Sequence, residues 1–255
     1  MKIFSYSWRH IWHSAPLNID VNLHDPERRI PVDQISRVLS VHPVGPGRRL
    51  SIYKACLNCL CTDRRTATLD GWLWSLALQN LQELEYGLNN RHYGWTSPWL
   101  RLAQLPASIY CFSSSLHVAS LSSFTLPDGN NTWALHLPIL EQMTLLDAKI
   151  SDGALHAFVD GCTVLQSLLL PDNYGFRQLQ VVSPSLRSIG VRTCFRFPVC
   201  LQRFIVVGTP CMERLLIFKG IFMDISVISA PRLRILGNRL ITLPGMSFRN
   251  TVFQV

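Results

Sequence analysis

Apolar residues recur in one frame from residue 81 onward, in which an apolar residue is followed by others three and five positions later. Twenty of the 21 frame positions are apolar, whereas the residue between the second and third positions is apolar in only two of seven frames, at Leu169 and Leu216. This alternation predicts a strand of about five residues that is buried on one face. The frames start at Leu81, Leu116, Leu140, Leu165, Leu186, Met212 and Leu233.

The spacing of the frames predicts how the strands assemble. Successive starts lie 35, 24, 25, 21, 26 and 21 residues apart, and the last five intervals fall within the roughly 20 to 29 residues of a leucine-rich repeat. One short strand cannot bury its apolar face alone, so such strands stack in parallel around a shared core. We therefore predict an α/β fold, a leucine-rich-repeat solenoid with short helices or extended segments on the convex side of a curved stack of strands. The alternative is an ordinary leucine-rich α/β domain with coincidental spacing.

The segments between the frames predict how the chain returns from one strand to the next. A capping serine followed by apolar residues at helical spacing predicts a short helix from Ser151 to Gly161. Later units contain extended segments at 179–186, 204–210 and 225–231. A proline two residues before a frame start predicts a turn into the strand. Such prolines are Pro138, Pro184, Pro210 and Pro231.

Residues 1–80 lack the frame, and their pattern predicts a different arrangement. We expect helices at Trp8–Trp12 and Val32–Leu39, and a turn at 44–49 that leads into a strand at Leu50–Tyr53. A further helix or a first irregular repeat is expected over Leu69–Leu78. Loops are predicted at 97–106 and 127–132.

Composition and charge narrow the functional classes. Hydrophobic residues make up 48% and charged residues 16% of the 255-residue chain, which is enough apolar surface for a folded core. The longest mostly apolar stretch, Leu215 to Ile228, contains Lys219 and Asp224, so we expect no membrane span. The net charge of +8 permits acidic partners, but the arginines are dispersed and nucleic-acid binding is not expected. The sequence shows no signal peptide, so we expect a cytoplasmic or nuclear protein.

Motifs for catalysis or metal binding are weak. The eight cysteines are expected to be free thiols. The tightest cluster, Cys56, Cys59 and Cys61, would need a fourth zinc ligand such as His42 or His92, and no second cysteine pair follows at zinc-site spacing. No nucleophile motif or phosphate-binding loop is present. We therefore expect a binding protein with no catalytic residues, no metal and no cofactor.

The residues that flank the second apolar position of each frame predict the binding surface. In a stack of parallel strands these side chains point away from the core, onto the concave face. The early strands carry Glu83 and Glu85, whereas the late strands carry arginines and apolar side chains. Because arginine and exposed apolar residues dominate the centres of protein interfaces, we predict target-protein binding by four residues. These are Arg192, Arg214, Phe218 and Arg239.

Several short segments occur in a recognisable order along nearly the whole chain. They are SWRHIWHSAPLNID at 7–20, RRLSI at 48–52, LDGWL at 69–73, NLQELEY at 80–86, the Gly-Cys and leucine run at 161–170, SPSLRSIGV at 183–191, APRLRILG at 230–237 and TVF at 251–253. In this order they resemble plant F-box/leucine-rich-repeat proteins of the FBD type, and the first segment is similar to the end of an F-box and the segment that follows it.

The resemblance implies a substrate receptor of a cullin-RING (SCF-type) ubiquitin ligase, in which the F-box docks on an adaptor subunit and the repeats select the target. Residues 1–20 are then the C-terminal remnant of an F-box, with Trp8, Ile11 and Trp12 as the adaptor-binding residues. Residues 21–80 are an N-terminal cap and first irregular repeat, and residues 81–255 are the leucine-rich repeats.

The sequence departs from the F-box pattern, because we identify only the last F-box helix and not the Leu-Pro segment that the family uses for docking. Two interpretations therefore stay open. The chain is either a ligase substrate receptor, or a repeat scaffold or truncated gene product that binds a partner without recruiting a ligase.

Overall fold

The chain forms two compact units, which we describe separately. Unit 1 comprises Met1–Thr96 and Pro106–Leu116, and unit 2 comprises Ser97–Leu105 and His117–Val255. The computed structural model describes residues 16–22, 32–42, 47–54, 70–88, 103–104, 107–126, 136–193, 198–218, 223–238 and 246–248.

Unit 1 contains three parallel strands with helical segments between them along the chain. Its elements, numbered in chain order, are β1 (Leu17–Asn22), α1 (Val32–Val41), β2 (Gly47–Lys54) and β3 (Glu83–Leu88), with 3-10 helices at Leu76–Leu78 and Ala107–Phe112. The strands pair in the order β1-β2-β3, and both pairings are parallel. Strand β1 alternates exposed residues with buried Leu17, Ile19 and Val21, as the repeat frame would require.

Parallel pairing therefore extends upstream of Leu81, where the sequence frame begins. The strand starts at 17, 47 and 83 lie 30 and 36 residues apart. These intervals are longer than those of the later repeats, so the repeat frame cannot be recognised in this part of the sequence. The helix predicted at Val32–Leu39 is confirmed and continues to Val41. The turn predicted at 44–49 is wrong over residues 47–49, which belong to β2, because Gly47 pairs with β1 and Arg49 pairs with both β1 and β3.

The phenol of Tyr86 on β3 is buried in unit 1, with 5% of the residue exposed. Burial and, to a smaller extent, the Asp70 carboxylate raise the pKa of Tyr86 to about 12. An unfolded chain releases this proton near pH 10. The protonated phenol of Tyr86 therefore contributes to the stability of the folded state. This contribution is fully present below pH 10 and is lost as the pH rises through about 12, which lowers the free energy of unfolding by roughly 2 to 3 kcal/mol.

We accordingly expect Tyr86→Phe to flatten the alkaline stability profile. Urea unfolding of the wild type and of the variant at pH 8.5 and pH 11, with a reductant present, measures this. The free energy of unfolding of the wild type should fall more steeply with pH than that of the variant. Parallel pH profiles for the two proteins would contradict the assignment.

Unit 2 is built from parallel strands and one helix. Its elements in chain order are β4 (Ala103–Gln104), β5 (Val118–Ser122), β6 (Phe124–Thr125), β7 (Gln142–Leu146), α2 (Asp152–Gly161), β8 (Ser167–Asn173), β9 (Gln178–Val182), β10 (Ser188–Thr193), β11 (Arg203–Gly208), β12 (Arg214–Phe218), β13 (Asp224–Val227), β14 (Ile235–Asn238) and β15 (Met246–Phe248). Part of the loop predicted at 97–106 is wrong, because Ala103–Gln104 pairs in parallel with β6.

From β8 onward, successive strands of unit 2 belong alternately to two sheets. The first has the strand order β5-β7-β8-β10-β12-β14, and the second has the order β15-β13-β11-β9. The strands of each sheet alternate buried and exposed residues, so each sheet has one buried face. The two buried faces enclose the core of unit 2. The extended return segments predicted from the sequence are the second sheet.

The predicted frame sets the register of the first sheet. Its second positions are paired neighbours across successive strands, in the order Met143, Leu168, Ile189, Leu215 and Leu236. The frame starts lie two residues before each strand and are buried. The prediction of a leucine-rich-repeat solenoid of stacked parallel strands is therefore confirmed.

Turns deliver the chain into these strands, as the prolines predict. The Leu140 N–H donates to the Leu137 carbonyl, and the Met212 and Leu233 N–H groups donate to carbonyls three residues earlier, all at 3.1 Å. Each proline lies directly after the accepting residue, at the position where its fixed φ favours a turn. Before β10 the Ser183 hydroxyl replaces the carbonyl and accepts from the Leu186 N–H at 3.3 Å.

A buried asparagine joins adjacent repeats at the end of β8. Asn173 is 2% exposed. Its Oδ1 accepts from the Ala148 N–H at 2.9 Å, and its Nδ2 donates to the Leu145 carbonyl at 2.7 Å. The amide thus satisfies one donor and one acceptor of the preceding repeat where no strand can pair with them.

Helix α2 borders the second sheet at β9, and its side chains satisfy the edge of that strand. The helix predicted from Ser151 to Gly161 is confirmed, with the Ser151 hydroxyl accepting from the Ala154 N–H. The Asp152 carboxylate accepts from the Gln178 N–H at 3.2 Å. The His156 Nε2 accepts from the Gln180 N–H at 3.3 Å. The helix therefore ends the second sheet without leaving those edge groups unpaired.

Candidate functional site

The candidate site is the side of the first sheet that points away from the core, which we call the open face. Its residues form three rows that cross the strands of unit 2. The first row is Val118, Gln142, Ser167, Ser188, Arg214 and Ile235; the second is Ser120, Thr144, Leu169, Gly190, Leu216 and Gly237; the third is Ser122, Leu146, Pro171, Arg192 and Phe218.

Leucine and glycine alternate along the second row, and their packing makes this part of the open face flat. A Cβ atom on Gly190 would lie 2.6 Å from Cδ2 of Leu169, and one on Gly237 would lie 2.6 Å from Cδ2 of Leu216. Each leucine therefore lies across the backbone of the next strand, in space that only glycine leaves open. The result is a continuous apolar floor over β8 to β14.

Exposed apolar side chains stand beside this floor. Phe218 in the third row is 39% exposed, and Ile235 in the first row is 49% exposed. Together with Leu169 and Leu216, Phe218 and Ile235 concentrate apolar surface at the late strands. Leu236, predicted as a core residue from the frame, is also 36% exposed, but it alternates with Ile235 and Gly237 and therefore lies on the opposite face of the last described strand of the sheet.

The charges around the apolar floor are mostly arginines, and some of them are paired. The Arg192 guanidinium lies 2.5 Å from the Asp172 carboxylate, and that of Arg187 lies 3.2 Å from Glu213. Arg214 and Arg234 are exposed and form no ion pair among the described residues. In the described part of the chain, two guanidinium groups therefore lack a carboxylate partner: Arg214 in the first row of the open face, and Arg234 directly before β14, outside the three rows.

The structure brings together three of the predicted target-binding residues. Arg192 and Phe218 are paired neighbours on β10 and β12, and Arg214 precedes Phe218 on the same strand and the same face. Arg239 lies outside the described residues, as do Trp8, Ile11 and Trp12, so their predicted roles stay predictions.

Sequence reasoning missed several features of this surface. It did not identify Arg234, which precedes β14, or the ion pairs that engage Arg187 and Arg192. It also did not predict that leucines cover the glycines of the second row. The alternation of Leu and Gly at one frame position was a visible signal for this packing. The ion pairs had no sequence signal, because Asp172 and Arg192 belong to different repeats.

In unit 1, Glu83 and Glu85, the acidic residues predicted for the outward face of the strands, form ion pairs and a hydrogen bond with neighbouring side chains. The Glu85 carboxylate accepts from the Arg49 guanidinium at 3.0 Å and from the Ser51 hydroxyl at 2.7 Å. Glu83 lies 3.8 Å from Arg49. The acidic charge that the sequence places at the early strands is thus partly neutralised within the sheet of unit 1.

Comparison with known families decides what kind of repeat protein this is. A family model described as FBD-associated F-box protein At5g56370, LRR repeats matches residues 69–255, well over half of the chain. The chain belongs to this family. Searches of curated proteins and of solved structures found no match. Family membership and the stacked parallel strands together make the chain a leucine-rich-repeat interaction module.

Other chemistry in this FBD-associated F-box repeat protein is limited in the described ranges. They hold no group of three or more His, Cys, Asp or Glu side chains that could bind a metal ion. The cluster of Cys56, Cys59 and Cys61 lies outside those ranges. Burial raises the pKa of the Cys162 thiol to about 12, against a smaller lowering by a hydrogen bond with the Leu137 backbone, so this thiol stays protonated at neutral pH.

The described helices are also short for a membrane-spanning role. None of them has both the length and the apolar character that crossing a bilayer requires. The longest described helices, α1 and α2, have ten residues each.

Proposed function

We propose that this protein is the substrate-recognition subunit of an SCF-type ubiquitin ligase. In this role the open face of the repeats binds a target protein, and the N-terminal segment with Trp8, Ile11 and Trp12 contacts the adaptor subunit. The observation that carries the proposal is membership of the FBD-associated F-box repeat family over residues 69–255. The protein would act by binding, without catalysis of its own, in the cytoplasm or the nucleus.

The open face supports the target-binding part of the proposal. Parallel strands joined by backbone hydrogen bonds hold the backbone of Arg192, Arg214 and Phe218 in fixed relative positions. A backbone that is already ordered loses little conformational entropy on binding, which favours affinity. Arginine and aromatic residues are also the types most enriched among residues that dominate interface energies.

Co-purification tests the ligase part of the proposal. The full chain is co-expressed with the F-box adaptor subunit and purified through a tag on the chain. We expect the adaptor to be recovered, and we expect Trp8→Ala or Trp12→Ala to lower its affinity roughly 10-fold or more, since buried tryptophans are frequent anchors of interfaces.

Trp74→Ala is the matched control. Trp74 is 61% exposed in unit 1, so its replacement makes the same chemical change at a site outside the predicted adaptor contact. It should leave adaptor recovery unchanged. Failure of the wild-type chain to retain the adaptor would overturn the ligase role and favour a repeat scaffold that binds its partner without ligase recruitment.

A further inference from the structure

We propose that the late part of the open face, from β10 to β14, binds a partner segment that combines acidic residues with an aromatic or large aliphatic side chain. This inference rests on the proposed function only in requiring that the repeats bind a protein partner. It specifies the chemistry of the segment, which the family membership does not give.

The apolar half of the inference follows from the floor of the second row. Leu169 and Leu216 lie flat across Gly190 and Gly237, and Phe218 stands beside them with 39% of its surface exposed. A flat floor with a raised aromatic edge exposes apolar area that only an apolar group of a partner can cover favourably. An entirely charged ligand would leave this area without a complementary group.

The acidic half follows from the balance of charge around the same floor. The carboxylates of Asp172 and Glu213 are already engaged by Arg192 and Arg187. Arg214 and Arg234 have no such partner among the described residues. Arg214 is the first residue of β12, and Arg234 lies directly before β14, the neighbouring strand. A partner segment that covers the apolar floor also excludes water beside Arg214, so a carboxylate that the segment places there is attracted more strongly than in open solvent.

Geometry places the two halves within reach of one ligand. Arg214 is the paired neighbour of Ile235, and Leu216 is the paired neighbour of Gly237 on the same two strands. Adjacent strands are separated by about 4.8 Å. A partner segment of only a few residues can therefore contact both the Arg214 side chain and the apolar floor. A short acidic and apolar segment is therefore sufficient to contact both.

Peptide selection followed by binding measurements tests the inference. A phage library of random 12-residue peptides is selected on the full chain, and the enriched peptides are synthesised with a fluorescent label. We expect enrichment of Asp or Glu beside Phe, Trp or Leu. Fluorescence anisotropy should then show that Arg214→Glu and Phe218→Ser each weaken binding roughly 10-fold or more.

The second sheet offers matched controls. Arg203 on β11 and Val182 on β9 are exposed on the other sheet of unit 2. Arg203→Glu makes the same change of net charge as Arg214→Glu, and Val182→Ser removes an apolar side chain that is 54% exposed. Both controls should keep peptide affinity within about twofold of the wild type, because rim and remote charges act mainly through long-range fields.

Gly237→Ala probes the floor without removing a contact residue. Its added Cβ would displace only the far end of the flexible Leu216 side chain, so the protein should keep its thermal midpoint while peptide affinity falls. Unchanged peptide affinity in this variant would show that the floor is not part of the contact and would overturn the apolar half of the inference.

The remaining outcomes separate this inference from the proposed function. Enriched peptides that are basic or uncharged, or equal losses from Arg203→Glu and Arg214→Glu, would overturn the inference. So would a selection in which nothing is enriched, or tighter binding of a single-stranded RNA oligonucleotide through Arg214. Recovery of the adaptor tests a different segment of the chain, around Trp8 and Trp12. Its result therefore supports or contradicts the ligase role independently of the peptide measurements.

Discussion

Replacing Asn173 with alanine is expected to destabilise unit 2 by about 2 to 5 kcal/mol. The amide donates to the Leu145 carbonyl and accepts from the Ala148 N–H, and both residues are at most 2% exposed. Alanine cannot replace either hydrogen bond, and water cannot reach the two backbone groups. Each would then stay buried without a partner, which costs about 1 to 3 kcal/mol per group.

Urea unfolding measures this loss as a lower transition midpoint. Asn18→Ala is the matched control, because Asn18 is exposed on β1 and the same atoms are removed there. The control should change stability by no more than about 0.5 kcal/mol. Equal midpoints for the two variants would contradict the bridging role of Asn173.

Gly175→Ala is expected to produce a loss of similar size, about 2 to 5 kcal/mol. Gly175 has a φ of +96°, which L side chains rarely adopt, and a Cβ atom there would lie 2.6 Å from the Ile150 carbonyl oxygen. That oxygen belongs to the backbone, and the Ile150 N–H itself donates to the Tyr174 carbonyl. Neither side of the contact can move without breaking the pairing between adjacent repeats.

Gly153→Ala makes the same substitution where a Cβ atom meets nothing within 4 Å. Gly153 lies in the first turn of α2, so alanine should stabilise the protein by roughly 0.5 to 1 kcal/mol. Thermal unfolding of the two variants should therefore move the midpoint in opposite directions. A midpoint unchanged or raised in Gly175→Ala would show that the backbone at this position accepts a side chain.

The repeat architecture could be predicted because its causes are local. Each short strand of the first sheet of unit 2 carries its own alternation, and four of the turns into these strands carry a proline, such as Pro210 before Met212. The capping serine of α2 is likewise visible in the sequence. Upstream of Leu81 the same strands were harder to recognise, since the intervals of 30 and 36 residues between strand starts exceed those of the later repeats.

The candidate site could be predicted only in part. The frame identified Arg192, Arg214 and Phe218 as outward-facing residues because position within a strand decides which face a side chain occupies. It could not show that Asp172 engages Arg192 while Arg214 is left without a carboxylate partner in the described ranges. Ion pairs depend on side chains from different repeats, and their spacing in the sequence varies.

By itself the sequence determined the number, period and facing of the strands in the first sheet of unit 2, because these depend on residue type at each frame position. The tertiary structure decided which charges on the open face are neutralised and where leucines cover glycine backbone. It also showed that Asn173 and Gly175, which no sequence pattern distinguishes, connect neighbouring repeats. Such effects require two distant segments to be about 3 Å apart, and only the packed fold brings them together.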